Sequence, residues 1–341
     1  MLNYSRCSMR LAEIDPSLAS AAVLSPARGI AEIYCNGGVI ARSQDLSMVL
    51  GTFIVRCPAC HLGIDASEQC HQCGRRFLPD AEGVYDLLPL DLAEITRNED
   101  REWSENGPSG HALRERPWQI VISAGSASEL RRFDQTIIDR FPTGRFLEIG
   151  GGPGLPAAMY KSLHPEAQVY ATDVSIPALR AGRRLSGGVF PILPDVYAAI
   201  NAEDLPFHDA SFDAIFAMAM MHHLARPDQM LREIARVLKP GGVFIAVDHC
   251  VPSHFQWLFS RVAESRSKKL GIRERLLSFG DWRSIVQQAG LPLSVLVPVQ
   301  DARFVPDPAF ALLGRLVGFV PSSLAIRLLP VGMTVVYQRG I

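Results

Sequence analysis

The chain has 341 residues, 48% of them hydrophobic and 20% charged, with a formal net charge of −1. That length accommodates a large α/β domain plus a smaller unit, and the near-zero charge gives no field to hold a polyanion, which counts against a nucleic-acid partner. No stretch reaches the roughly 18 to 20 uninterrupted apolar residues of a membrane span; the most apolar segment, Ala309 to Val320, is broken by Arg315.

The N-terminus lacks the basic head, apolar run and small-residue cleavage site of a secretory signal. Four of the seven cysteines sit in two Cys-x-x-Cys pairs, a pattern that points to metal rather than to a disulfide framework. A reducing cytoplasm is the expected compartment.

Residues 1 to 47 show no sustained period of 2 or 3.6 and read either as a disordered tail or as a stretch that is not translated, with Met48 opening a strand-like run into the first cysteine pair. Residues 48 to 90 form a zinc-ribbon-like unit, and 91 to 126 a polar linker or lid containing Trp103 and His111. The remainder, 127 to 341, reads as one large domain. A helical pattern runs from Ala127 to Phe141 and is broken by Pro142-Thr143-Gly144. Strands are then predicted at Phe146 to Ile149, Gln168 to Thr172, Tyr197 to Asn201, Phe212 to Met218 and Val243 to Val247. Helices fall between them, at Leu155 to Leu163, Ile176 to Leu185 and Pro227 to Leu238. That alternation predicts an α/β fold with a doubly wound, mostly parallel sheet. Beyond it come helical patterns at Ser253 to Ser265 and Asp281 to Ala289, and strands at Leu293 to Val297 and Thr334 to Tyr337.

Gly150, Gly152 and Gly154 lie between a predicted strand and helix, where glycines let the backbone turn tightly against a ligand and the helix directs its free N–H groups at it. Alone the turn is ambiguous, because Gly152-Pro153-Gly154-Leu155-Pro156-Ala157 also fits the dinucleotide fingerprint. Asp173, ending the next strand, suits the ribose hydroxyls of either cofactor class, since Ser175 already caps the following helix.

The whole series discriminates. Glu148-x-Gly150-x-Gly152-x-Gly154, Ala171-Thr172-Asp173-Val174-Ser175, Asn201-Ala202-Glu203-Asp204-Leu205-Pro206-Phe207 with Ser211-Phe212-Asp213, Met221-His222-His223-Leu224, and Arg236 to Gly242 follow in order. Over about residues 127 to 250 the chain resembles the class I, Rossmann-like S-adenosylmethionine methyltransferases, in particular the subgroup related to ubiquinone and menaquinone biosynthesis. The resemblance implies S-adenosylmethionine as cofactor, with Glu148, Gly150, Gly152, Gly154 and Asp173 around it. It further implies Asp204 at the adenine amine beside Ala202 and Glu203, Val174 on the adenine face, and Met218 beside the methionine portion or in the core.

Cys57-x-x-Cys60 and Cys70-x-x-Cys73 offer two thiolate pairs suited to tetrahedral zinc, with Gly74 closing the second turn. A zinc ribbon ahead of such a domain also resembles one ribosomal-RNA guanine methyltransferase family, which leaves RNA base methylation as the alternative function. Charge opposes it: from Met48 to Asp100 there are four arginines against nine acids, where an RNA-reading arm is basic.

Methyl transfer from a sulfonium needs alignment and exclusion of water more than acid–base help; a hydroxyl acceptor would add a base. His222, His223 and His249 follow the fourth and fifth strands at the ligand-binding edge, with His249 and His223 the candidate bases and packing the competing role. The C-terminal apolar residues, Phe304 to Leu324, suit a lipid, quinone or polyketide acceptor, or a plain core. The expected function is methyl transfer to a small molecule. A cofactor-binding regulatory module without turnover is the further alternative, and the oligomeric state is not legible.

Overall fold

Four consecutive strands bury side chains on both faces, as strands sandwiched between helices must: β4 (Arg145–Ile149), β5 (Gln168–Asp173), β6 (Val196–Ala199) and β7 (Phe212–Met218). The structure is a computed structural model. It describes the paired strands at 32–35 and 38–42, most of residues 54–101, all of 143–251, parts of 253–291, and the strands at 295–299 and 331–338. The predicted helix at 127–141, Trp103, His111, the strand-like run from Met48 as far as Phe53 and the apolar residues from Phe304 to Leu324 lie outside the described residues.

The chain divides into two units, Met1–Leu46 and Ser47–Ile341. The first contains the antiparallel pair β1 (Glu32–Cys35) and β2 (Gly38–Arg42). Asn36 and Gly37 stand between them in sequence, the pair that a two-residue hairpin turn favours.

The second unit is built on one eight-stranded sheet of order β3-β6-β5-β4-β7-β8-β10-β9. Strands β3 (Val84–Asp86), β6, β5, β4, β7 and β8 (Leu238–Cys250) are mutually parallel. Strand β10 (Val331–Gln338) pairs antiparallel with β8, and β9 (Val295–Val299) antiparallel with β10. From β4 the chain winds outward through β5 and β6, then crosses back to β7 and β8. The order reverses beside the carboxyl end of β4, where such sheets bind ligands.

Helix α1 (Leu155–Leu163) starts at the left-handed Gly154 with Pro156 in its first turn, where the missing N–H costs nothing. Helix α2 (Ile176–Val189) is capped by the Ser175 hydroxyl, which accepts from Ala178 N–H at 3.3 Å. Ala157, Tyr160 and Leu179 of these helices pack on one face of the sheet with Phe146 and Val169. Helix α3 (Pro227–Val237) buries Met230, Leu231, Ile234 and Val237, one stripe at helical spacing. It packs on the other face with Trp282 and Val286 of α4 (Phe279–Gln288).

The cysteine segment does not stand apart from this domain. Cys57, Cys70 and Phe77 are buried in the same core as Tyr170, Phe207 and Phe212, where the last three rings meet edge to face at 4.9–6.1 Å. Its continuation β3 adds the edge strand beside β6. Arginines of α2 clamp the turn before β3: Arg180 pairs with Asp80 at 2.7 Å and Arg184 with Glu82, while Arg183 donates to Glu82 O at 2.7 Å. Among the described residues, no helix is long and apolar enough to cross a membrane.

Candidate functional site

Strand β4 delivers the glycine turn to the carboxyl edge of the sheet. Gly150, Gly152 and Gly154 have φ of 64°, 54° and 68°, a region that side-chain-bearing residues enter only at a cost. At Gly151 a Cβ would lie 2.4 Å from the Glu148 carboxyl carbon, so a larger residue there would have to displace that carboxyl. Glu148, 1% exposed, fills that room and accepts Ala157 N–H at 3.2 Å, satisfying an open donor in the first turn of α1. Burial pushes its carboxyl up to about 8; the Ala157 N–H pulls the other way, and the neighbouring Asp173 charge adds to the rise.

Asp173 ties the turn to the end of β5. Its Oδ2 accepts Gly152 N–H at 2.7 Å and its Oδ1 accepts Ser175 N–H at 2.9 Å. Val174 follows, partly buried. The next loop lies alongside, because Ile200 N–H donates to Asp173 O at 2.9 Å. In it Ala202 and Glu203 are each 8% exposed. Glu203 accepts Arg226 N–H at 2.7 Å. Asn201 Oδ1 accepts Glu203 N–H at 3.0 Å. The Asp204 carboxylate meets Arg56 at 3.4 Å and His61 at 3.8 Å. Glu148, Gly150, Gly152, Gly154, Asp173, Val174, Ala202, Glu203 and Asp204 are thus brought together on consecutive loops at one edge of the sheet.

From the far side, Met218 is partly buried and packs on the core beneath β7. Met220 is the methionine at the turn: a Cβ on Gly150 would lie 2.7 Å from its Cγ. Ala219 between them is left-handed (φ 50°), and a 3-10 turn at Met221–His223 follows. Asp248, 4% exposed near the end of β8, secures that turn: Oδ2 accepts Met221 N–H at 2.8 Å, and Oδ1 lies 2.6 Å from His222 Nδ1. His222 is therefore a buried, oriented ring. His223 is partly buried with its ring 4.1 Å from that of His222. His249 stands one residue beyond Asp248, opposite Gly332 in the β8–β10 ladder; its side chain lies outside the described residues.

Three contributors escape the motif pattern. Gly182 in mid-helix looks like a cost of about 1 kcal/mol, yet a Cβ there would lie 1.8 Å from Pro153 O, so the glycine lets α2 press on the turn. Asp248 is signalled only as an acid closing an apolar run, and Met220 carries no signal beyond neighbouring Met218. Asp213, part of the matched series, lies at the opposite edge, accepting Arg145 N–H at 2.8 Å and Lys239 Nζ at 2.7 Å.

The four knuckle cysteines converge as their spacing predicts. Their sulfurs all lie within 4.8 Å of one another, Cys57 and Cys73 at 3.6 Å. Four sulfurs about 2.3 Å from one zinc ion would be about 3.8 Å apart, so the set fits a tetrahedral thiolate site. The two turns match: His61 N–H donates to Cys57 O and Gly74 N–H to Cys70 O, each at 2.8 Å. His61 and Gly74 are both left-handed just past the second cysteine. Burial raises the Cys57 thiol and takes that of Cys60 to about 12, whereas the Arg75 N–H draws Cys73 down to about 7. Zinc, when bound, supplies the positive charge that lets all four ionise together.

Residues 147–246 match the family described as a methyltransferase domain. The ubiquinone/menaquinone biosynthesis C-methyltransferase UbiE of Bordetella avium (strain 197N) is 38% identical over 146 residues, 42% of this chain and 52% of its own length. The methyltransferase GfsG of Streptomyces halstedii is 32% identical over 168 residues, 48% of this chain and 59% of its own. The chain thus spans 52% and 59% of the length of these two relatives. Geranyl diphosphate C-methyltransferase of Streptomyces coelicolor A3(2), solved with Mg2+, geranyl diphosphate and S-adenosyl-L-homocysteine, superposes with a TM-score of 0.51 at 14% identity. The match covers 72% of this chain and 98% of that one and is a likeness of fold, the class I methyltransferase fold.

Proposed function

We propose that this protein transfers the methyl group of S-adenosylmethionine to a small, apolar acceptor such as a quinone, a lipid or a secondary metabolite. The observation that carries the reading is the junction at Asp173. One carboxylate joins the glycine turn after β4 to the loop after β5, at the point where the strand order reverses. A carboxylate offers about four acceptor sites, enough for these main-chain donors and ribose hydroxyls together. The adenine then falls to Val174, Ala202, Glu203 and Asp204, and the donor's polar end to the left-handed glycines and the start of α1.

S-adenosylmethionine, when bound, supplies an electrophilic methyl on a sulfonium that departs neutral. The protein's part is to hold that methyl in line with the nucleophile and keep water out. Met220, lying against Gly150, closes the turn on the β7 side. Asp248 holds the 3-10 turn that carries His223, and our candidate bases for a hydroxyl acceptor are His223 and, one residue beyond Asp248 in the chain, His249. An apolar acceptor is favoured by the named chemistry of one relative, a ubiquinone/menaquinone biosynthesis C-methyltransferase.

The test is a transfer assay with a methyl-labelled donor against a panel of quinols, prenyl compounds and polyketides, read by mass spectrometry. Label in an apolar small molecule supports the proposal. Label only in added ribosomal RNA overturns its acceptor half and revives the RNA reading.

A further inference from the structure

Two basic residues flank the first cysteine knuckle, and both face one carboxylate in the candidate cofactor site. Arg56, immediately before Cys57, places Nη2 3.4 Å from Asp204 Oδ1. His61, immediately after Cys60, places Nε2 3.8 Å from Asp204 Oδ2. The knuckle sets both approaches, since the bond from His61 N–H to Cys57 O and the left-handed backbone at His61 close the turn between them. Arg56 also donates through Nε and Nη2 to Leu205 O at 3.3 and 3.2 Å, and its main-chain N–H donates to Pro206 O at 3.1 Å. Its side chain is 16% exposed, so these charge-assisted bonds are only partly screened by water.

The loop held in this way is the one that abuts Asp173 through Ile200. Helix α3 also steadies its far end: Glu233 accepts Leu205 N–H at 2.9 Å, and Arg236 donates to Leu205 O and Phe207 O at 2.9 and 2.7 Å. Those bonds reach main-chain groups from Leu205 onward. At the Asp204 carboxylate itself, the basic partners among the described residues both come from the knuckle.

We infer that the cysteine knuckle is a positioning device for the methyl-donor site: metal binding at Cys57 and Cys60 sets Arg56, and Arg56 sets the Asp204 loop against which the adenine binds. The inference rests on the S-adenosylmethionine reading above. It makes donor affinity depend on metal occupancy although no cysteine touches the donor. Arg56 is a positioning residue rather than a catalytic one, because its contacts run to the loop and, at 3.4 Å, to Glu233 of α3, and not to reacting atoms. The physical logic is preorganisation: a loop already held in its binding shape loses less freedom on binding.

The test is titration calorimetry of S-adenosyl-L-homocysteine into the full chain, zinc-loaded and zinc-stripped, for wild type, Arg56→Ala and Arg56→Lys, with zinc content and thermal melting measured alongside. The zinc-loaded Arg56→Ala protein is expected to keep its zinc and its melting transition yet bind about tenfold more weakly, the scale of one charge-assisted hydrogen bond. Stripping zinc weakens wild type similarly and weakens Arg56→Ala much less, because the link is already cut; a merely structural arginine would leave the two effects additive. Arg56→Lys, which keeps the charge but not the fork, falls between. Amide exchange across residues 200–205 should rise on stripping in wild type. Equal or tighter binding by a folded, zinc-loaded Arg56→Ala protein overturns the inference, as does unchanged wild-type affinity after stripping. Loss of binding in zinc-loaded wild type overturns the donor reading itself.

Discussion

Replacing Glu148 by Gln probes the turn through a charge that the fold does not want. The carboxyl is 1% exposed, and burial lifts it from an ordinary 4.5 to about 8. Between those values the folded protein holds a proton that the unfolded chain has released, so stability falls as pH rises, by at most about 1.4 kcal/mol per pH unit for one group. Across the window the loss is bounded by about 5 kcal/mol. Asp80 and Asp281 do not confuse the reading. Burial opposes their ionisation, but hydrogen bonds to Val84 and Arg180, and to Ser278 and Gln256, hold both below the ordinary 3.8, so their contribution is lost only on acidification below that value. The Glu148→Gln variant keeps an oxygen for Ala157 N–H and has nothing to titrate at this position. Urea unfolding followed by circular dichroism from pH 5 to pH 8 should show the variant gaining a few kcal/mol relative to wild type as pH rises. Parallel curves for the two proteins would refute the claim that Glu148 is protonated in the folded turn.

Gly182→Ala forces a methyl group to within 1.8 Å of Pro153 O, so α2 or the turn must shift; a loss of about 2 to 3 kcal/mol in urea unfolding is expected, with weaker donor binding. A variant as stable as wild type would show that the helix does not press on the turn. Asp248→Ala strands two N–H groups and His222, and should lower stability by about 3 kcal/mol or more in thermal melts, whereas Asp248→Asn retains part of the network and costs less. Cys57→Ser and Cys70→Ser should each abolish bound zinc in atomic absorption; full zinc content in both would exclude the four-thiolate site.

Regular alternation made the central sheet legible, because buried parallel strands and amphipathic helices write their own periods into the chain: β7 and α1 fall at the predicted bounds. Strand β3 was harder to see. Val84–Asp86 is three residues long, too short for any period, and owes its strand to pairing with β6 across more than a hundred residues. The antiparallel pair Glu32–Cys35 and Gly38–Arg42 has Asn36-Gly37 between its strands in the sequence, a local signal that a search for sustained periodicity averages away. At the site, the glycines, Asp173 and the four cysteines announce themselves because their chemistry depends on residue type. Met220, Gly182 and Arg56 act through where the fold puts them, and neither an arginine beside a cysteine nor a glycine in a helix declares its partner.

Titration of S-adenosyl-L-homocysteine into the zinc-loaded chain, wild type against Asp173→Ala, tests the central claim most directly. The predicted result is saturable binding by wild type that weakens at least tenfold in the variant, which loses the ribose acceptor together with the Gly152 and Ser175 anchors. Absence of binding, or binding that Asp173→Ala leaves unchanged, would contradict the account.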